Sequence, residues 1–258
     1  MPGADLELLI DAAREAGRIA REYCGETVQK WDKPDDAGPV TEADLAVNRM
    51  LNERLRGARP GYGWLSEESE DSAERLARER VFIVDPLDGT RNFIEGGKSW
   101  AHALAIVEHG RPVAGVVYLP LLERLYAAEA GLGATLNGAP IAASTAQGLA
   151  GATLLAARPA LGAEHWKGGV VPDVERVYRP SLAYRLSLVA EGRFDSMLTL
   201  RDSWEWDIAA GAAILGEAGA VVTDRHGQAL RFNNAVPMVA GVVAGAEAVQ
   251  RALRGALV

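Results

Sequence analysis

The segment Val81-Phe82-Ile83-Val84-Asp85-Pro86-Leu87-Asp88-Gly89-Thr90-Arg91-Asn92-Phe93 constrains this chain more than any other. Its apolar, β-branched opening, bounded by turn formers, predicts a buried strand. Pro86 has no N–H to give to a sheet, so the strand is expected to stop near Asp85. Asp85 and Asp88 then sit on a tight turn at the carboxyl end of the strand, facing a common point. Two hard oxygen ligands held this way suit Mg²⁺ better than a softer metal. Gly89 and Thr90 follow where a helix can begin, and backbone N–H groups there suit an anion. A divalent cation beside an anion pocket is equipment for phosphoryl transfer. The competing reading is that Asp-Pro and Asp-Gly only mark a turn, and this segment alone does not choose between the two.

The chain has 258 residues, 48% of them hydrophobic and 24% charged, which is ordinary for a globular protein with a core that needs no staples. A net charge of −8 argues against a nucleic-acid polymer or an anionic membrane as partner. A phosphorylated substrate must therefore be attracted locally. Cys24 is the only cysteine, which excludes an intramolecular disulfide and a CxxC metal site. The N-terminal residues lack a basic signal-type region, and the longest apolar run, Ala235 to Ala246, is too short to span a bilayer. A cytoplasmic protein is expected.

Apolar positions Leu6, Leu9, Ile10, Ala13, Ala16, Ile19 and Ala20 recur at helical spacing, predicting an amphipathic helix from Asp5 to about Tyr23. Lys30 to Pro39 is polar, carries two prolines and reads as a mobile loop. Thr41-Glu42-Ala43-Asp44 has the form of a capping box that opens a second helix, ending before Gly57. A short strand is expected over Tyr62 to Ser66, with a loop or surface helix over Glu70 to Arg80. Ala101 to Val107 and Val113 to Leu119 form a hairpin about His109-Gly110, and strands continue to Gly138. Beyond Ala142 short strands (Ala152 to Ala156, Val174 to Tyr178, Phe194 to Leu200) alternate with helices (Ser181 to Glu191, Trp206 to Ala218, Ala246 to Leu257). Two intimately packed subdomains follow, residues 1–145 with a largely antiparallel sheet and 146–258 of α/β type, in one compact unit.

Other acids have ordinary explanations when taken singly. Glu67 and Glu68 in Ser66-Glu67-Glu68-Ser69 read as solvated surface. Asp44 is explained by the capping box, and Asp207, opening an Ala/Gly-rich helix, by the helix dipole. Lys33 lies in the polar loop and reads as exposed. The histidines (His102, His109, His165, His226) have no metal-ligand spacing and read as structural or exposed. There is no nucleophile elbow and no Walker-type loop.

Taken together, Val40-Thr41-Glu42-Ala43-Asp44, Ser66-Glu67-Glu68-Ser69, Asp85-Pro86-Leu87-Asp88-Gly89-Thr90 and Trp206-Asp207-Ile208-Ala209-Ala210-Gly211 occur in the order and approximate spacing of the inositol monophosphatase superfamily. That superfamily includes inositol monophosphatases, fructose 1,6-bisphosphatases and 3'(2'),5'-bisphosphate nucleotidases, and the chain resembles it from Lys33 to beyond Asp207. The resemblance implies an α/β protein with a layered αβαβα fold and a site for two to three Mg²⁺ ions. It implies that Glu67, Asp85 and the Leu87 carbonyl hold one ion. Asp85, Asp88 and Asp207 hold a second, and Glu67 faces a weaker third, hydrated site near Lys33. Asp44 and Thr90 polarise the attacking water, and the backbone N–H groups of Gly89 and Thr90 bind phosphate. The implied reaction is hydrolysis of a small phosphate monoester by in-line attack of water, with no covalent enzyme intermediate. Lithium inhibition and homodimers are frequent in this superfamily, so both are expectations here.

The substrate is less constrained. Inositol monophosphatases typically carry an acid some seven positions before the Trp-Asp acid, and here that position is Leu200, flanked by Thr199 and Arg201. The interval from Val189-Ala190-Glu191-Gly192 to Trp206-Asp207 looks one residue longer than in inositol monophosphatases and is similar to that of the bisphosphate nucleotidases. Leu65-Ser66-Glu67-Glu68 and Glu205-Trp206-Asp207 also resemble the nucleotidase branch. Thr90-Arg91-Asn92-Phe93 and Gly192-Arg193-Phe194-Asp195 are closer to the inositol phosphatases. The favoured substrate is adenosine 3',5'-bisphosphate, with Arg201 either binding its second phosphate or solvated. Asp88, Gly89, Thr90 and Asp207 complete the substrate site. Inositol 1-phosphate is the alternative. Fructose 1,6-bisphosphate is less favoured, as is a catalytically silent binding protein, because every ligand position carries its expected acid.

Overall fold

The computed structural model describes residues 3–24, 29–33 and 38–258. Helix α1 (Ala4–Glu22) buries the predicted stripe, with Leu9, Ala13, Ala16 and Ala20 fully covered. The ends of the predicted polar loop are ordered into a ribbon: β1 (Lys30–Asp32) pairs antiparallel with β2 (Pro39–Thr41), Lys30 opposite Thr41. Residues 34–37, the middle of that loop, lie outside the described residues. Helix α2 (Glu42–Ala58) starts as expected. The Asp44 N–H donates to Thr41 Oγ1, and Asp44 Oδ2 accepts from the Thr41 N–H at 2.9 Å.

Strands β3 (Gly63–Ser66), β4 (Arg80–Asp88), β5 (Ala101–Glu108), β6 (Arg111–Leu119), β7 (Arg124–Glu129), β8 (Gly133–Leu136) and β9 (Ala139–Ile141) form one sheet in that spatial order. Only β3 and β4 are parallel neighbours. The β5–β6 hairpin turns through His109 (φ 49°) and Gly110 (φ 77°), the left-handed pair that a two-residue turn requires.

One expectation needs correcting. Strand β4 does not stop at Asp85 but runs through Asp88, followed by the short helix α3 (Thr90–Ile94). Its register with β5 slips between Asp85, opposite Ala103, and Asp88, opposite Ala101. Pro86 sits in this irregularity, where its missing N–H leaves no ladder bond unmade. The acids are thus displayed on a bulge rather than on a free turn.

The second sheet comprises β10 (Thr153–Ala156), β11 (Glu175–Val177), β12 (Ser196–Thr199), β14 (Val221–Thr223) and β16 (Val242–Gly245), in the order β11-β10-β12-β16-β14. Helices α4 (Leu182–Ala190), α5 (Glu205–Glu217) and α6 (Glu247–Ala256) are interspersed, and β13 (Ser203–Trp204) pairs with β15 (Met238–Val239).

Strand alternation then dictates five layers. On β4, Phe82 and Val84 point into one cluster with Leu9, Val47 and Leu51 of α1 and α2. Val81 and Ile83 point the other way, into a cluster with Leu186 of α4 and Ile208 and Leu215 of α5. Leu155, Met197 and Ala244 of the second sheet meet that same middle layer. Leu154, Leu198 and Val243 on its far face pack on Val249 and Leu253 of α6. The order is αβαβα. The middle layer is thin because α5 is built of Ala and Gly. A Cβ at Gly115 of β6 would lie 2.6 Å from the Ala210 carbonyl, and one at Gly211 would lie 2.5 Å from Leu186.

The bulge has its own prop. His102 of β5 is fully buried and its Nδ1 contacts the Pro86 carbonyl, while Nε2 has no partner among the described residues. Burial depresses its pKa to about 4, against 6.5 for an ordinary histidine. The unfolded chain therefore takes a proton that the folded state refuses. This group's contribution is present above pH 6.5 and is lost as pH falls towards 4, amounting to about 3 kcal/mol when complete. Denaturant melts at pH 7 and pH 4.5 check this. His102→Asn, which keeps a donor for Pro86, is expected to lose about 2–3 kcal/mol less than wild type between those pH values. Identical losses would reject the assignment.

Candidate active site

Three carboxylates from three elements converge at the end of the bulge. Glu67 follows β3, Asp85 lies on β4 and Asp207 is in the first turn of α5; one oxygen of each lies within 4.8 Å of the others. Asp85 is buried, and Oδ1 accepts the Leu87 N–H at 2.9 Å. Burial, then the charges of Glu67, Asp88 and Asp207, push Asp85 well above the usual carboxylate range. Burial, then Asp88 and Glu67, do the same to Asp207.

Asp88 stands against this trio but is held from the other side. Its Oδ2 accepts from the Ser181 hydroxyl and the Ala183 N–H, both at 2.7 Å. Its pKa is raised by burial, which those two bonds partly oppose. Ser181 has φ 64° and caps α4 through Tyr184 N–H at 3.0 Å. A strained residue that caps one helix and fixes an acid of another layer escaped sequence reasoning; its only signal was Pro180-Ser181 ahead of a helical run.

Such a concentration of negative charge is unfavourable unless protons or cations neutralise it. The donors are all oxygen, half of a near-octahedral shell and the set a hard dication prefers. The residues fit Mg²⁺.

The Ser66–Ser69 segment is not the solvated surface that its charge suggests. Lys33 Nζ lies 2.7 Å from Glu67 Oε1 and 2.5 Å from Glu68 Oε1, and the three side chains are mostly covered. Burial raises Glu68 to about 7, with the Lys33 contact opposing it. Asn48, one turn after Asp44 on α2, accepts from Ser66 Oγ at 2.8 Å and donates to the Glu68 carbonyl at 2.9 Å. It fixes the turn that presents Glu67.

The two oxygens of Asp44 divide their work. Oδ2 accepts from Thr41, whereas Oδ1 lies 3.2 Å from the Thr90 hydroxyl, which is itself 3.1 Å from the Leu87 carbonyl. Burial raises Asp44 to about 6. Gly89, at φ 99°, makes the turn that aims Thr90 at Asp44.

Asp85, Asp88, Gly89, Thr90 and Asp207 border one cavity of ≈ 380 Å³. Its remaining wall includes Arg91, Tyr178, Arg185, Arg201 and Trp204. Arg201 is exposed and its charge acts on Asp207. Leu200 is not in this wall. The start of α5 is anchored by Glu205, fully buried, which accepts from the N–H groups of Asn233 and Asn234 at 2.6 and 2.9 Å. Arg75 donates to Asn233 Oδ1 at 2.7 Å and to the Asn234 carbonyl at 2.9 Å, tying β3's neighbourhood to Asp207's helix. A larger cavity of ≈ 680 Å³ beside α1 and β6–β8 holds no such acid cluster.

The family model for the inositol monophosphatase family matches residues 4–258. The chain belongs to that family. An inositol-1-monophosphatase of Mesorhizobium japonicum is 35% identical, over 96% of this chain and 94% of the relative. A histidinol-phosphatase of Mycobacterium tuberculosis is 36% identical, over 87% of this chain and 89% of its own. Among solved structures, the extragenic suppressor protein suhB of Bartonella henselae superposes with TM-score 0.82 at 31% identity, covering 98% of both chains. Like its relatives in the inositol monophosphatase family, the chain is a phosphoric monoester hydrolase, in a family that depends on Mg²⁺. No described helix is long and apolar enough to cross a membrane.

Proposed function

We propose that the chain hydrolyses a small nucleotide bisphosphate, with adenosine 3',5'-bisphosphate as the representative substrate. Glu67, Asp85 and the Leu87 carbonyl would hold one Mg²⁺, and Asp85, Asp88 and Asp207 a second, with Glu67 facing a third, hydrated site. Bound there, the ions lower the pKa of water and neutralise charge on the phosphoryl group. The chain's own residues do the rest. Asp88, with Oδ2 fixed by Ser181 and Ala183, presents its other oxygen to the cavity in one orientation. Asp44 takes the attacking water's proton with the help of the Thr90 hydroxyl. The N–H groups of Gly89 and Thr90 orient the phosphate.

The observation that carries the substrate reading is the composition of the cavity wall. Its acids are Glu67, Asp85, Asp88 and Asp207, all of them in the cation site, whereas the rest of its wall offers Arg91, Arg185 and Arg201 with Tyr178 and Trp204. Polyol hydroxyls find no further carboxylate there, while a second phosphate finds guanidinium groups and a flat base finds aromatic faces. The ammonium of histidinol phosphate would meet like charge. Inositol 1-phosphate is the second reading, favoured by the name of the Mesorhizobium japonicum relative at 35% identity.

Initial rates with Mg²⁺ decide. The expected kcat/KM is at least about tenfold higher for adenosine 3',5'-bisphosphate than for inositol 1-phosphate or histidinol phosphate, the effect of one well-placed charged hydrogen bond. The reverse order supports the second reading, and no turnover of any small phosphomonoester supports a binding role.

A further inference from the structure

Of the cavity's three arginines, Arg185 on α4 is the buried one, 8% exposed. Its Nε donates to the Arg179 carbonyl at 2.7 Å, and its guanidinium lies 5.0 Å from the centroid of the Tyr178 ring. These contacts fix the plane of the group. They leave both terminal nitrogens without a protein acceptor among the described residues, and the nearby carboxylates of Asp88 and Asp207 act on the group through space without pairing with it. Neither nitrogen is sealed in the interior, and Arg185 is part of the cavity wall. Burial pulls against its charge, and Tyr178 and Asp88 support it. A guanidinium in this setting is still a cation.

A largely buried cation whose terminal donors meet no protein acceptor keeps them free for a ligand. A planar fork with two free terminal nitrogens, held rigid by a backbone bond and an aromatic face, matches two oxygens of one phosphate. Arg201 differs in kind. It is exposed, and a solvated, screened side chain contributes little to discrimination. We infer that Arg185 is the specificity residue of this cavity, gripping in bidentate fashion the phosphate that is not hydrolysed, with Tyr178 bordering the nucleoside. This inference rests on the nucleotide-bisphosphate reading above, and it places the second anion on α4 rather than at Arg201.

The experiment compares adenosine 3',5'-bisphosphate with adenosine 3'-phosphate, the same nucleoside without the second anion, in full-length wild type, Arg185→Met, Arg185→Lys and Arg201→Met with saturating Mg²⁺. Arg185→Met is expected to raise KM for the bisphosphate about 10- to 100-fold, with kcat altered less than about threefold. Its loss on adenosine 3'-phosphate is far smaller, so the preference between the two substrates collapses. Arg185→Lys, a point charge without the fork, recovers part of that preference and carries the test should the Met variant fail to fold by thermal melt. Three outcomes overturn the inference while leaving the substrate reading intact: an unchanged preference in both Arg185 variants, a larger collapse in Arg201→Met, or equal losses on both substrates. The last would mean that Arg185 serves the acid cluster. A wild-type enzyme with no preference for the bisphosphate overturns the substrate reading and the inference together.

Discussion

Asp85→Asn is expected to lose turnover by at least about 10³-fold and yet to melt higher than the wild type when both are stripped of metal. The first effect follows from the position of Asp85, the one acid shared between both proposed cation sites. Cation stabilisation of the transition state is worth several kcal/mol, hence three or more decades in rate. The second follows from crowding. Burial and the neighbouring Glu67, Asp88 and Asp207 disfavour the Asp85 carboxylate, so its folded pKa lies above the unfolded value. A raised pKa means that the folded state binds the proton more tightly. Stability from that group is full at low pH and is lost as pH rises through the folded pKa. An amide has no such charge to relieve and still accepts the Leu87 N–H, so the variant's advantage grows with pH. Mg²⁺ should invert the ranking, because a ligand bound only to the native state adds about 2.7 kcal/mol at one hundred times its Kd. The wild type gains that increment, increasingly at higher pH as the acids ionise. Melts at pH 6.5 and 8.5, with chelator and with Mg²⁺, together with initial rates, form the measurement. A variant that keeps a tenth of wild-type kcat, or melts lower than the wild type without metal, sinks the assignment.

The same arrangement shows why much of this protein was legible in its sequence. Strand β4 announces itself by β-branched residues, α1 by a 3.6-residue stripe and α2 by its capping box. The four acidic motifs fix the order in which the layers must meet. What stayed hidden depends on distance in sequence. Pro86 pointed to the end of a strand, but a sheet tolerates proline at a bulge, and His102 on the neighbouring strand supplies the prop for its carbonyl. Glu67 and Glu68 looked solvated because nothing local says that Lys33 crosses to meet them. Ser181, which holds Asp88 from 93 residues away, has no short-range signature. Glu205 and Arg75, which tie the start of α5 to the loop at Asn233, were invisible for the same reason. In each case the missing information is a single long-range polar contact made by a residue whose local pattern already has an ordinary explanation. Arg185 is the extreme example: a charge inside an apolar helical run, where a surface arginine would break the pattern but one facing a cavity does not.

Asp44→Asn should separate two explanations that the sequence could not. If Asp44 only caps α2, its loss is a stability effect, about 0.5–2 kcal/mol for a cap. If it is also the base, activity falls about 10²- to 10⁴-fold with little change in melting temperature. The geometry assigns one task to each oxygen. Oδ2 accepts from the Thr41 backbone and hydroxyl, a role that an amide oxygen can keep, while Oδ1 faces Thr90 beside the Leu87 carbonyl, where an amide nitrogen takes no proton. Burial lifts Asp44 to about 6, so with its partners in place the base is charged at neutral pH but only just. Activity should therefore decline on the acid side as pH falls through about 6, and bound cations, by favouring the carboxylate, should carry that limb lower. In Asp44→Asn the residual rate should lose the part of the acid limb that belongs to this group. Thr90→Ala, which removes the hydroxyl but leaves the capping box whole, should lower kcat without moving the melting temperature. If both variants lose stability in proportion to activity, the water-activating role of this pair fails and the capping box is its whole purpose.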